Sequence, residues 1–409
     1  MILEQQGYAY KDLTVVPAVI SAIDHRPECN IYYEDGMLPI FTAPMISVVN
    51  EHNYKLFEDS KINTILPRTV SYVTRKTFLE FGKWVALSLS EFRKLFCNSA
   101  FSTTGYTYKV CIDMANGHME SLYKATEKAK SIAKKAGYEL KIMVGNIANP
   151  ETYRWICMNA HIDYVRCAIG SGANCITSSN VGVHYPIASL IDGCKTIKDE
   201  LKGEMEYYEP GTEYVDVKCL PMIVADGGIK NYSDVIKALA LGADYVMIGS
   251  LFSKLLESAA EMVIESKDTI QYPAIFNHET GKIVYYTNYN YDGKSINIWN
   301  GNTEEEKRDF LRTVNRVTKK LIGMSTKEAQ IAIGRALEVP VELSGDMLKT
   351  SEGITTFVEC KYTLNQWLEN MTDYLRSGMS YCNCYTLDEF KNNVNLIPNS
   401  PAEIQAVNN

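Results

Sequence analysis

The stretch GSGANCITSS, residues 170–179, sets one cysteine, Cys175, after two glycines and two residues ahead of a threonine, Thr177. Cysteine is well suited to attack an electrophilic carbon near neutral pH, because some thiolate is accessible and a helix N-terminus or a cation enlarges that fraction. Taken alone, a cysteine beside glycines is more commonly a small buried residue. The rest of the chain has to supply the argument. Other groups able to do chemistry stand at the ends of apolar runs: Asp113 ahead of ANG, Gly145 and Asn146 in KIMVGNI, Asp226 to Gly228 in IVADGG, and Gly249 and Ser250 closing YVMIGS. An Asp before two glycines suits a ribose, since a carboxylate accepts from two hydroxyls while glycine lets the backbone come close. Exposed N–H groups at such turns can cradle a phosphate.

These residues need a scaffold that gathers strand ends. Eight short runs rich in Val, Ile and Met supply one: LPIFTAPM, INTILP, WVALSLS, KVCIDMA, KIMVGNI, YVRCAI, PMIVADGG and YVMIGS. Most lack polar alternation, which predicts strands buried on both faces. Between them lie helical patterns, as in residues 118–137 and 231–243, each running to a glycine. Eight strands with crossovers predict a closed (β/α)8 TIM barrel, whose ligands sit at the strand C-termini. Two segments break the rhythm, at 201–218 and 268–307. The second carries HETGK and YDGKS turn signals between β-type runs, which predicts hairpins. Both read as insertions on one barrel domain spanning 1–409.

Composition narrows the setting. A chain of 409 residues, 46% hydrophobic and 22% charged, can bury a large core. No apolar run reaches the roughly 18–20 residues of a membrane span. The start MILEQQGYAYKDL lacks the basic and apolar regions of a signal peptide. A net charge of -8 argues against a nucleic-acid surface while leaving room for a local cationic phosphate pocket. The eleven cysteines are scattered, and the close pair Cys382 and Cys384 lacks zinc-site spacing, so a reducing, cytoplasmic compartment is expected.

The motifs GSGANCITSSNVGVHYP, IVADGGIKNYSDVIKALALGADYVMIGSLF and GMST resemble the inosine monophosphate dehydrogenase and guanosine monophosphate reductase family. YKDLTVVPA, APM at 43–45 and DMANGH fit the same pattern in the same order, so the resemblance spans roughly 8–268 and 320–390. It implies a TIM barrel that binds a purine nucleotide and a nicotinamide cofactor, forms a covalent intermediate at Cys175, and assembles as a homotetramer. It further implies a nucleotide site at Asp226, Gly228, Gly249, Ser250, Gly323, Met324, Ser325 and Gly353. The cofactor would meet Asp113, Arg68, Gly145 and Asn146, and a monovalent cation such as K+ would sit on carbonyls of Gly170, Gly172 and Cys175.

Within the family, the reductase pattern has a threonine two residues after the cysteine and a glutamate in an EG step, which Thr177 and Glu352 match. The dehydrogenase pattern has an Arg-Tyr pair in its flap, and Ala336 follows Arg335 here. The inserted CBS modules usual in dehydrogenases have no room between the second and third barrel units. The resemblance therefore implies an NADPH-dependent GMP reductase with Cys175, Thr177 and Glu352 as catalytic groups. Two other readings stay open: NAD-dependent oxidation of IMP to XMP, and a purine-nucleotide-binding barrel with weak turnover. The last is motivated by Ala173, Ile46 and Ile354, which stand where the family has a serine, an aspartate and a basic residue.

Overall fold

The structure is a computed structural model that describes residues 6–98, 105–172, 176–206, 216–265, 271–286, 296–314, 316–337, 350–400 and 402–404. Cys175 and Ala173 lie outside the described residues. All eight apolar runs are parallel strands of one sheet: β1 (Ile40–Thr42), β2 (Ile65–Leu66), β3 (Trp84–Leu87), β4 (Thr107–Ile112), β5 (Glu139–Ile147), β6 (Tyr164–Cys167), β7 (Met222–Asp226) and β8 (Tyr245–Ile248). Neighbours in sequence are neighbours in the sheet, and β8 returns to β1 with Phe41 opposite Met247. Closure between β1 and β2 runs through Asn63, which donates its N–H to Ile40 O and accepts from Thr42 N. The α/β TIM barrel expected from the sequence is the fold.

The missing polar alternation has a plain cause. On β3, Trp84 and Ala86 point into the barrel with Phe41, Met143, Val224 and Tyr245, whereas Val85 and Leu87 point outward beneath the helices. Both faces are dry, so both parities are apolar. Each fully buried Val, Leu, Ile or Phe contributes about 1.5–3 kcal/mol of transfer free energy.

The helix predicted at 118–137 spans Glu120–Ala136, with Gly137 left-handed at its end (φ +77°). The one predicted at 231–243 spans Tyr232–Ala240 and starts from Asn231, whose side chain accepts from Asp234 N. The segment 201–218 differs from its expectation. Residues 201–206 continue the helix Ile187–Glu206, because Leu201 still falls on that helix's buried face. Residues 207–215 lie outside the described residues.

After β8 and the short helix Ser250–Ser253, the chain leaves the barrel before its last outer helix, Leu364–Tyr381, which packs back through Trp367 onto Phe252. The excursion builds a six-stranded antiparallel sheet: β9 (Met262–Glu265), β10 (Gln271–Asn277), β11 (Lys282–Tyr286), β12 (Ile296–Asn300), β13 (Arg316–Ile322) and β14 (Thr355–Glu359), ordered β12-β11-β10-β9-β13-β14. HETGK forms the β10–β11 turn, where Asn277 pairs with Lys282; YDGKS lies outside the described residues. This sheet buries a core of its own around Met262, Ile264, Phe276, Ile283, Phe310 and Val317.

Candidate active site

Asp113 follows β4, Asn146 lies on β5 and Asp226 ends β7, so the barrel brings three polar groups to its C-terminal mouth. Arg166, on β6 between Asn146 and Asp226, ties them together. Its Nη1 donates to Asp113 Oδ1 at 2.9 Å, while Nε and Nη2 reach Asp226 Oδ2 at 3.0 and 2.8 Å. Asn146 Nδ2 donates to the same Asp226 oxygen at 2.7 Å. Burial opposes the Arg166 charge, but Asp226, Cys111 and Asp113 hold its pKa well above the ordinary value. Arg166 is buried, and the half-buried Asp113, Asn146 and Asp226 are paired around it.

Among the described residues, every hydrogen bond to Asp226 goes to Oδ2, and Asp113 accepts Arg166 on Oδ1 alone. Each carboxylate keeps a second oxygen for a hydroxyl or amide of a ligand. Gly145 makes this packing feasible. At φ +140°, a Cβ there would lie 2.6 Å from both Arg166 Cβ and Arg166 O. Arg166 escaped the sequence reading, although an arginine inside the otherwise apolar YVRCAI was a usable signal: a charge on a doubly buried strand needs partners.

The loops after β6 and β7 interlock. Gly228 N donates to Ser171 O at 2.9 Å, and Gly227 (φ +119°) and Gly228 (φ +72°) hold conformations that L side chains rarely adopt. Gly249 packs so closely on Met45 that a Cβ would sit 2.8 Å from its sulfur. Ser250 opens the short helix Ser250–Ser253, which packs on β13, the strand running directly into Gly323, Met324 and Ser325. Thus the DGG turn, the GS step and the GMS turn are all carried to the same end of the barrel or its adjoining sheet. Gly170 O accepts from Ser178 Oγ at 3.3 Å.

Thr177 and Glu352 meet. Thr177 Oγ1 donates to Glu352 Oε2 at 2.7 Å, and the neighbouring Ile176 N donates to Glu352 O at 2.9 Å. Thr177 is the first residue of the helix Thr177–Asn180, whose cap position is Ile176, so its hydroxyl is not the cap. Gly353 is buried, and Gly323 N donates to Ile354 O at 3.1 Å, which seats the GMS turn beside the EG step. Ile354 is exposed and Ile46 half-buried.

Arg68 stands apart from the Arg166 network. Its ionic partner is Glu91, 3.9 Å from Nε, and Glu91 is held more tightly by the buried Arg75 at 2.7 Å. Among the described residues, Arg68 Nε is buried without a hydrogen-bond partner.

The fold and this arrangement define a (β/α)8 barrel with a polar, carboxylate-rich mouth at its strand C-termini. Residues 106–275, from β4 into the added sheet, match the model of the IMP dehydrogenase / GMP reductase domain, so the family resemblance read from the motifs holds. The chain is 26% identical over 267 residues to a GMP reductase of Staphylococcus saprophyticus, covering 63% of this chain and 73% of that one. It is 30% identical over 154 residues to a GMP reductase of Caenorhabditis elegans, covering 38% of this chain and 37% of that one. It is 27% identical over 291 residues to an inosine-5'-monophosphate dehydrogenase of Chlorobaculum parvum. That match covers 70% of this chain and spans 44% of the relative's length.

Proposed function

We propose that the protein is an NADPH-dependent GMP reductase, converting GMP to IMP and ammonia. The observation that carries this reading is the Thr177–Glu352 hydrogen bond, which joins a carboxylate to the hydroxyl that follows Cys175 by two residues in the sequence. The Cys175 sulfur bonds to purine C2, and the C2–N bond to the 2-amino group breaks. The departing nitrogen takes a proton passed along Glu352 and Thr177. NADPH, when bound, supplies a hydride to C2 and is oxidised to NADP+. The S–C2 bond then breaks, returning the thiolate and releasing IMP. Net, GMP, NADPH and two protons become IMP, NADP+ and ammonium.

The residues present suit these ligands. Asp226 offers Oδ1 to a ribose, and the turns at Gly228, Gly249, Ser250 and from Gly323 to Ser325, with Gly353 behind them, offer backbone N–H groups to a phosphate. Arg68, a partly exposed cation just after β2, would meet the anionic part of the cofactor, while Asp113, Gly145 and Asn146 would flank the nicotinamide. A K+ ion on carbonyls of Gly170, Gly172 and Cys175, a homotetramer and a cytoplasmic setting belong to the same reading. Among the described residues, no helix is long and apolar enough to cross a membrane.

The test supplies purified protein with GMP plus NADPH, then with IMP plus NAD, and follows cofactor absorbance. Loss of NADPH with GMP supports the proposal. Formation of NADH with IMP would make it a dehydrogenase instead, a name its Chlorobaculum relative bears. GMP binding without either reaction would leave a nucleotide-binding barrel. A Cys175→Ala protein that reduces GMP at the normal rate would defeat the covalent mechanism.

A further inference from the structure

Lys319, in the middle of β13, is 1% exposed, among the most buried charged groups described. Its Nζ donates to three backbone carbonyls, Leu256 at 2.9 Å, Ser258 at 3.3 Å and Ala260 at 3.3 Å. Those carbonyls belong to the loop leading from the helix Ser250–Ser253 to β9, where the chain leaves the barrel for the sheet. An ammonium has three protons to donate, so this loop accepts its full capacity. Burial pulls the Lys319 pKa down, opposed by Cys360 and Glu257. A buried cation of this kind is costly unless it is fully coordinated.

The same strand has a second end. β13 runs into Gly323, and its partner β14 begins two residues after Gly353, with Ile322 paired to Thr355. The GMS turn and Glu352 are therefore carried on one strand pair. The position of that pair relative to the barrel sets whether Glu352 reaches Thr177. Other contacts help to dock the sheet: Glu257 takes Lys307 at 2.8 Å and Leu364 N at 2.9 Å, and Leu256 N donates to Tyr362 O. Lys319 is the one among these whose side chain stands on the strand leading into the GMS turn.

We propose that Lys319 is a positioning residue, its ammonium filling a three-carbonyl cation site on the barrel-to-sheet loop and so fixing the strand pair that presents Glu352 to Thr177. The inference rests on the reductase reading only for its activity readout.

The experiment compares Lys319→Ala, Lys319→Met and, as a control on the same interface, Lys307→Met. Each is assayed for GMP reduction with and without added n-propylammonium, alongside thermal melting. Lys319→Ala is expected to lose 10-fold or more in kcat and to regain several-fold when the small ammonium ion re-enters the carbonyl site. Lys319→Met, whose side chain occupies that space, is expected to lose as much and regain nothing. Lys307→Met is expected to melt lower with kcat kept within twofold. Equal kcat in Lys319→Met and the unaltered protein overturns the proposal, as does a kcat loss in Lys307→Met matching that of Lys319→Met. If the Lys319→Ala and Lys319→Met proteins do not fold, Lys319→Arg serves: its planar donors cannot converge on three carbonyls, so kcat should fall with KM for GMP held. Unchanged kcat there overturns the proposal. Absence of any GMP reduction by the unaltered protein defeats the reductase reading; the positioning role is then read from melting of Lys319→Ala, raised by n-propylammonium if correct and unmoved if wrong.

Discussion

Thr177 and Glu352, 175 residues apart, share a 2.7 Å hydrogen bond, reinforced by the main-chain bond from Ile176 N to Glu352 O. The backbone link fixes the glutamate segment to the loop that follows Cys175, so the side-chain pair inherits a set geometry. Replacing Glu352 by Gln, or Thr177 by Val, removes the proton route while leaving that main-chain bond available. Both variants should lower kcat for GMP reduction by about 100- to 10,000-fold, the usual worth of a positioned acid or base. GMP affinity, measured by calorimetry, should change little.

Arg166 neutralises two carboxylates at once, Asp113 and Asp226. Arg166→Met would leave both half-buried carboxylates without their cation, a loss of up to about 3 kcal/mol, below the full cost of breaking a buried ion pair because both carboxylates keep some contact with water. Arg166→Lys would not restore it, because one ammonium cannot reproduce the guanidinium fork that reaches both partners. Urea unfolding midpoints measure the first effect. GMP and NADPH binding measure the second.

Gly145→Ala would place a methyl group 2.6 Å from Arg166 Cβ and O, in a backbone conformation that alanine rarely adopts. Main-chain atoms cannot retreat as a flexible side chain can, so β5 and β6 must separate locally. A destabilisation of about 1–3 kcal/mol is expected from overpacking and strain. Chemical denaturation would show it, with a parallel loss of ligand affinity because Asn146 follows directly.

Asp244 makes stability depend on acid. Burial acts to raise its pKa, but Lys198, Lys391 and their hydrogen bonds, with Ile223 N–H, hold it below the usual carboxylate value. A depressed native pKa means its stabilisation is fully present above the unfolded-state value near 3.9 and is lost as pH falls through the lower native value. The melting temperature should therefore drop steeply below about pH 4. In Asp244→Asn that acid-dependent drop should shrink, on a protein already weakened at neutral pH because Lys198 loses its carboxylate while Lys391 keeps only Asp388.

The strands could be read from the sequence because a barrel strand with two dry faces leaves a continuous apolar run, as in Val85 and Ala86 or Ile142 and Met143. The carboxylates at Asp113 and Asp226 and the glycines beside them were legible for a similar reason: polar residues that abruptly end such runs fall at the barrel mouth. Thr177 and Glu352 were legible only as matches to a family pattern. Arg166 was passed over because its partners are on different strands, and nothing local in YVRCAI says where they are. Lys319 was invisible for the same reason, since its partners are main-chain carbonyls about 60 residues earlier that carry no sequence signature.

By itself, then, the sequence determined the period of the elements, the residue types that end each strand and the loops that glycine permits, because these follow from local sterics and hydration. Only the tertiary structure decided which charges neutralise one another and which distant hydroxyl meets which carboxylate. Those pairings depend on strand order and on how the added sheet docks to the barrel, and a buried charge is stable only where that three-dimensional arrangement supplies its partner.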